Sequence, residues 1–460
     1  MGAGTKITII GGGVTGYPAA IKAARMGAAV TLIEKDLLGG VCLNRGCIPT
    51  KALLHAGEVL HTVKKAGDFG IVCEGAKVDF KAVMHRKNAV VQQLRIGVER
   101  LLKAKRVRVV QGTAELADAT TIRIKETGEK ILSDRILIAS GAKPARLNFE
   151  GCDGPDVLDS NQVLELERLP KSVVIIGGGV IGVEFAQIFS GLGVQTTILE
   201  LLETLIPGAD TEISRVLEGS IQKSGTRVVT QAKVEKIERV KGRNTVSYTV
   251  AGQRQTVAAE KVVLAVGRQP DLAGLGTERI GLAQQKGALA VNDRLQTNIP
   301  HIYAAGDVTG GIMLAHLATA EGECAVSNAL GAGGRMSYKA VPACVYTSPE
   351  VASVGLTEEE ACKRHDIIVG RFPFHACGKA QILDQTYGMV KIISEKKLGG
   401  ILGVHIIGPQ ATNLIAEAVL GMTLEMTVEE LAHAIHPHPT LSEALMESAL
   451  TLCGGAIHLP

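Results

Sequence analysis

Cys42 and Cys47 stand with four residues between them in the run Gly39-Gly40-Val41-Cys42-Leu43-Asn44-Arg45-Gly46-Cys47-Ile48-Pro49-Thr50-Lys51. A disulfide closing so small a ring gains little chain-entropy stabilisation, and its short loop strains it, so the bond is readily reducible. That chemistry suits an electron relay better than a staple. Two unrelated buried cysteines would also give a close pair by chance in a chain with nine cysteines. A zinc half-site is the weaker reading, because no second closely spaced Cys or Cys/His pair accompanies it.

A second constellation is His436-Pro437-His438-Pro439-Thr440-Leu441-Ser442-Glu443. Prolines on both sides bar His438 from a helix interior and fix an extended loop, while Glu443 is expected to begin the following helix. A histidine held by a carboxylate is a general acid/base arrangement. The residues alone equally allow a helix cap with incidental histidines, or a metal site from His433, His436 and His438.

The elements that must position these groups are announced by a duplication. Gly11, Gly13, Gly16, Gly27 and Glu34 recur as Gly177, Gly179, Gly182, Gly193 and Glu200, each displaced by 166 residues. Buried apolar runs, Ile7 to Ile10 and Val173 to Ile176, enter the two turns as parallel strands, and helical stretches leave them. Each acidic residue falls 23 positions past its first glycine, close to the ribose-binding spacing of a dinucleotide fold. The glycines let N–H groups at a helix N-terminus approach a pyrophosphate, and Glu34 and Glu200 can accept from ribose hydroxyls. Two nucleotide cofactors are implied.

A buried strand with a Gly/Pro turn, Leu137 to Pro144, is echoed by Val263 to Pro270, its Gly141 and Pro144 displaced by 126 to Gly267 and Pro270. The second nucleotide fold therefore reads as inserted into the first. The expected order is a first part of one dinucleotide-binding domain over 1–148, a second dinucleotide-binding domain over 149–271, a return to the first over 272–337, and a further unit over 338–460. The fold class is α/β with two Rossmann-like domains and a C-terminal α+β dimerisation domain. Helices are expected over 52–66 and 78–103, strands over 107–110 and 121–124, and an antiparallel sheet with helices after 338.

At 460 residues the chain has room for three or four domains. A net charge of +3, 3% aromatic residues and no Trp point away from nucleic acid. No segment is long and apolar enough for a membrane span, and the first strand is reached by Ile7, which leaves no room for a signal peptide. An odd number of cysteines with one close pair suits a reducing cytoplasm.

Together the cysteine run, the paired fingerprints, Tyr303-Ala304-Ala305-Gly306-Asp307 and His438-Pro439-Thr440-Leu441-Ser442-Glu443 resemble the flavin-dependent disulfide reductases over essentially the whole chain. Within that family the likeness is greatest to its dihydrolipoamide-oxidising, NAD-linked members. The resemblance implies FAD on Gly11, Gly13, Gly16, Glu34 and Asp307, and NAD on Gly177, Gly179, Gly182 and Glu200. Gly141 and Gly267 join the cofactor-binding positions. It makes Cys42 the interchange thiol and Cys47 the thiol against the flavin. Lys51 would sit near the flavin ring and pair with Glu184, and His316 would lie at a helix start on the flavin's pyrimidine side. His438 and Glu443 become the acid/base pair, acting across a homodimer. The implied partners are lipoyl domains of 2-oxo acid dehydrogenase complexes or the glycine cleavage H protein.

Three positions depart from many relatives: Arg45 inside the cysteine run, where a permanent cation would lower a thiol pKa or raise the disulfide's potential, and Ser140 and Cys377, expected not to touch the motifs. A mercuric reductase would need adjacent cysteines near the C-terminus, where only Cys453 stands. A glutathione-type enzyme would need arginines after the second strand, where Leu199-Glu200-Leu201-Leu202-Glu203 has none. A flavoprotein subunit without catalysis would have no use for both cysteines, His438 and Glu443.

Overall fold

A computed structural model describes residues 4–460 of the chain. The first sheet has five parallel strands in the order Ile302–Ala304, Arg135–Ile138, Lys6–Ile10, Ala29–Glu34 and Arg108–Gln111. The second has five more, Arg227–Val229, Gln195–Leu199, Ser172–Ile176, Lys261–Leu264 and Val157–Leu158. Ser172–Ile176 is buried at every position, as a central parallel strand covered on both faces must be. The strand at Ile302–Ala304 returns to the first sheet after the second has been completed. The duplication also extends beyond the glycine turns. Each parallel sheet is accompanied by a three-stranded antiparallel sheet inserted at the corresponding place, 114–132 and 233–259.

The two echoing Gly/Pro segments pair with each other, Ala142–Pro144 antiparallel to Arg268–Pro270, so the chain's two crossings between the folds run side by side. The C-terminal unit is a five-stranded antiparallel sheet, Ala343–Val345, Glu350–Gly355, Ile401–Gly408, Met389–Glu395 and Ile367–Pro373. Its inner face, with Val390, Ile392, Val404 and Ile406, packs on Ile415 and Leu445 of the helices Ala411–Thr423 and Glu443–Leu450. Among the described residues no helix is long and apolar enough to cross a membrane.

One expected boundary moves. The helix predicted from residue 52 begins at Cys47, and the cysteine run ahead of it is itself a short helix, Gly40–Arg45. Gly46, at φ −149° and ψ −114°, breaks the backbone between them. Pro49 falls in the first turn of Cys47–Lys64, where its missing N–H costs no helical hydrogen bond. The other long helix runs Phe80–Ala104, capped by the Asp79 carboxylate on the Ala82 N–H.

The second nucleotide fold is joined to the C-terminal sheet by a buried charge cluster. Lys391 Nζ lies 2.8 and 2.9 Å from the Asp210 carboxylate, 2.9 Å from Glu212 and 2.7 Å from Glu358. Arg371 donates to the same Glu212 and Glu358. Asp210 is fully buried and Lys391 is 1% exposed, so each charge depends on the other. His405, paired across the strands with Lys391, is pushed by burial toward its neutral form. Lys391→Met is expected to strand Asp210 without a cation and to cost about 3–5 kcal/mol. The midpoint of urea unfolding measures it, and a loss below about 1 kcal/mol would show that the cluster relaxes into water.

Candidate active site

The two glycine turns are built alike. Gly11 and Gly177 hold φ of +108° and +106°, and a Cβ on either would press on the Ala139 or Ala265 carbonyl oxygen at 2.2 or 2.4 Å. A Cβ on Gly16 or Gly182 would meet the Gly11 or Gly177 oxygen at 1.8 or 1.9 Å, so both helices start hard against their turns. Glu34 accepts the N–H groups of Gly12 at 2.6 Å and Asp36 at 2.7 Å. Glu200 does the same for Gly178 and, at 2.7 Å, for Leu202. These carboxylates therefore fix the turns themselves. Each oxygen keeps a further lone pair for a hydroxyl from the cavity they line.

Cys42 and Cys47 form a disulfide with a Cα–Cα distance of 4.7 Å. Cys47 is the first residue of an 18-residue helix, whose N-terminal dipole favours a thiolate there. One turn on, Lys51 Nζ meets both Glu184 oxygens at 2.9 and 2.8 Å and lies 4.4 Å from the Tyr346 ring centre. Tyr346 also donates its N–H to Glu184 at 3.0 Å.

A single cavity of about 1530 Å³ opens on the disulfide and on both turns, larger than the roughly 300–1,000 Å³ of a site for one small ligand. Gly11, Gly13, Gly141, Asp307 and His316 line it from the first fold, and Gly177, Gly179, Glu184 and Gly267 from the second. Gly16 and Gly182 lie behind their turns. Burial raises the Asp307 carboxyl above its ordinary range despite the Arg268 guanidinium nearby. No hydrogen-bonding side chain among the described residues satisfies it, which suits a hydroxyl-bearing ligand. The buried Arg268 Nε also lacks a partner. These turns and orphaned polar atoms fit two dinucleotides. His316, the second residue of the helix Ala315–Ala329, bonds through Nε2 to the Pro342 oxygen at 2.7 Å.

His438 and Glu443 are brought together but lie off this cavity. His438 Nδ1 is 2.7 Å from Glu443 Oε1, and Glu443 Oε2 accepts the Thr440 N–H at 2.7 Å. Burial pushes the Glu443 carboxyl up, but the Thr440 N–H and His438 outweigh it and hold it below the ordinary range. The His438 side chain is 74% exposed with Nε2 free. His436 is the opposite case. Only 5% exposed, it is held by Glu417 and the Ala434 oxygen, each at 2.8 Å, and the Glu417 carboxylate raises its pKa. Among the described residues no His/Cys/Asp/Glu group could hold a metal ion, so the three histidines are not a ligand set.

Cys377 touches a motif it was expected to miss, whereas Ser140 bonds just outside one. Ser140 Oγ donates to the Asp271 oxygen at 2.9 Å on the cavity wall, and the buried Cys377 thiol donates to the Thr440 oxygen at 3.5 Å. Arg45 is not a free cation either, because its guanidinium is paired with Asp36. Sequence reasoning also missed Arg268, Tyr346 and Cys344 on the cavity wall. Burial pushes the Cys344 thiol up to about 11, so it stays protonated within the field of Lys51 and Glu184. Arg268 follows Gly267 directly and could have been found there, whereas nothing local marks Tyr346.

Two nucleotide turns and a reducible disulfide on one cavity define an oxidoreductase that moves electrons between a dinucleotide and a disulfide. Residues 5–322 match the pyridine nucleotide-disulphide oxidoreductase model, and residues 341–449 match that family's dimerisation domain. The chain belongs to this family, and its cofactors are FAD and NAD(H). It is 44% identical to a dihydrolipoyl dehydrogenase of Bacillus subtilis, covering 98% of this chain and 99% of the relative. It is 39% identical to the enzyme of the same name from Geobacillus stearothermophilus over 99% and 97%. Among solved structures it is similar to LpdA from Mycobacterium tuberculosis, with a TM-score of 0.90 and 28% identity over 97% and 99%. The HOCl-induced flavoprotein disulfide reductase RclA from Escherichia coli gives 0.87 and 31% over 97% and 99%.

Because Glu200 holds the second turn, its charge and its hydrogen bonds can be separated in part. Glu200→Gln removes the charge that repels a 2′-phosphate and keeps an acceptor for one of the two N–H groups while turning its NH2 toward the other, so it is expected to narrow the preference for NADH over NADPH at a smaller cost in stability than full removal. Glu200→Ala leaves two N–H groups without a partner, at roughly 1–3 kcal/mol each, and should also lower the melting temperature. Dinucleotide titrations and melting curves decide it; unchanged discrimination in both variants would remove Glu200 as the selector.

Proposed function

We propose that this enzyme oxidises dihydrolipoamide, a dithiol carried on the lipoyl arm of a partner protein, and delivers the electrons to NAD+. The observation that carries the reading is the division of the chemistry. The disulfide shares a cavity with both nucleotide turns, while the acid/base pair is displayed at a distance from it. The substrate is taken from the relatives at 39–44% identity that bear the name dihydrolipoyl dehydrogenase. A homodimer would set His438 of one subunit opposite Cys42 of the other. The docking partners would be lipoyl domains of 2-oxo acid dehydrogenase complexes or the glycine cleavage H protein.

In this reading His438 Nε2 takes the proton of a substrate thiol while Glu443 holds Nδ1 and stabilises the imidazolium. The substrate thiolate attacks Cys42 Sγ, breaking the bond to Cys47, which leaves as a thiolate at its helix N-terminus. The second substrate thiol, once deprotonated, closes on the first sulfur and expels Cys42. The first turn and Asp307 would hold FAD, which would supply two-electron chemistry between the Cys42–Cys47 dithiol and an NAD+ that the second turn would hold. Lys51, fixed by Glu184, keeps a cation at that end of the cavity. NAD+ is favoured because Glu200 places a carboxylate where a 2′-phosphate would sit.

Two experiments test the reading. Cys42→Ser should leave an unpaired Cys47 thiolate against oxidised flavin and show a long-wavelength charge-transfer band without reductant, and Cys47→Ser should lack it. The same band in both, or in neither, reverses or removes the assignment. Mixed dimers of Cys42→Ser and His438→Ala chains test the two-chain site. Each parent should be inactive toward dihydrolipoamide, and random re-association should return roughly a quarter of wild-type turnover. No recovery, with mixed dimers shown by mass, would sink it.

A further inference from the structure

Arg45 stands three residues after Cys42 in the helix Gly40–Arg45, which places both side chains on one face, neighbours at about 5–6 Å between Cβ atoms. A bare guanidinium there would stabilise a Cys42 thiolate. The structure instead closes it on Asp36, whose hydrogen bond is the largest influence on Arg45 and raises its pKa. Asp36 is itself fixed: its N–H donates to Glu34 at 2.7 Å and its carbonyl accepts Gln111 Nε2 at 2.9 Å. The ion pair thus ties the disulfide helix to the first glycine turn, and both partners line the cavity. The remaining charges around the helix are Glu34 and Glu165, whose fields reach Arg45, and Lys51, which is engaged by Glu184. Arg45 and Asp36 are 35% and 45% exposed, and an exposed pair contributes little stability. Its consequence is electrostatic.

The geometry points to Asp36 as the residue that sets the reactivity and potential of the Cys42–Cys47 couple, by masking a cation that this chain carries inside its redox motif. This rests on the reading of Cys42 as the substrate-facing thiol. Asp36 is a positioning residue, acting through Arg45.

The test uses FAD-loaded protein and four chains: wild type, Asp36→Asn, Arg45→Met and the double variant. Reduced protein is alkylated with iodoacetamide across pH and the modified thiols are mapped by mass. The disulfide is also equilibrated in dithiothreitol redox buffers, where reduction of the protein is balanced by oxidation of the dithiol. Asp36→Asn is expected to raise Cys42 alkylation at pH 7 by roughly 3- to 10-fold, the low end of a charge-pair effect because the site is partly exposed. It should also make the disulfide more oxidising, since a stabilised thiolate favours the reduced form. Arg45→Met should stay within about twofold of wild type, and the double variant should return to it. No change in Asp36→Asn, or a shift that persists in the double variant, overturns the inference. Alkylation concentrated at Cys47 in all four chains would count against the roles given to the two cysteines, while the redox equilibrium would still decide on Asp36.

Discussion

A lysine–glutamate contact spanning 133 residues holds the two nucleotide folds on one cavity. Glu184 is 3% exposed, and a carboxylate so buried is costly without a partner cation and hydrogen bonds. Lys51 supplies the first and the Tyr346 N–H adds the second, so one side chain gathers the disulfide helix, the second fold's helix and the C-terminal unit. The helices Cys47–Lys64 and Val180–Gly191 pack with Gly57 facing Gly191, where a methyl group would make ordinary van der Waals contact. A Cβ on Gly57 would lie 3.9 Å from the Gly191 Cα. Without that packing the disulfide and the second nucleotide turn would not share a wall.

The two glycine turns show how one physical problem is solved twice. A sharp strand-to-helix turn leaves backbone N–H groups exposed to a ligand, and something must hold them in place while the site is empty. Glu34 and Glu200 do so from the next strand, each through two backbone donors. A residue that reads as ligand-binding from its spacing is thus first a structural one. Removing it therefore disturbs both roles at once, and even an amide in its place keeps an acceptor for only one of the two donors.

What could be read from the sequence was whatever short-range geometry imposes: the glycine spacing, the acidic residue one strand later, the echoed Gly/Pro turns, the buried strands. These depend on steric limits that hold in any context. The cysteine run gave no sign of being helical, because Gly40 and Gly46 read locally as turn residues, and only packing against the first turn, where Gly40 and Gly13 nearly touch, reveals the helix. Asp36 as the partner of Arg45, Tyr346 over Lys51 and Cys377 on Thr440 are contacts between elements. Cys377 and Thr440 are 63 positions apart and Tyr346 and Glu184 are 162, and no periodicity records such meetings.

The C-terminal unit separates anchoring from exposure within three residues. His436 uses both ring nitrogens inside the fold, so its loop cannot swing, and Cys377 and Glu443 restrain Thr440 from below and from the helix. His438 is thereby held rigid yet left open, its Nδ1 committed and its Nε2 presented outward. A general base needs both properties, since its orientation must be fixed before substrate arrives and its lone pair must be reachable. Within one chain, though, His438 does not line the disulfide's cavity. On the function proposed, the family's dimerisation domain is then part of the chemistry: association supplies the thiol site with its base, whereas the two nucleotide turns are already complete within one chain.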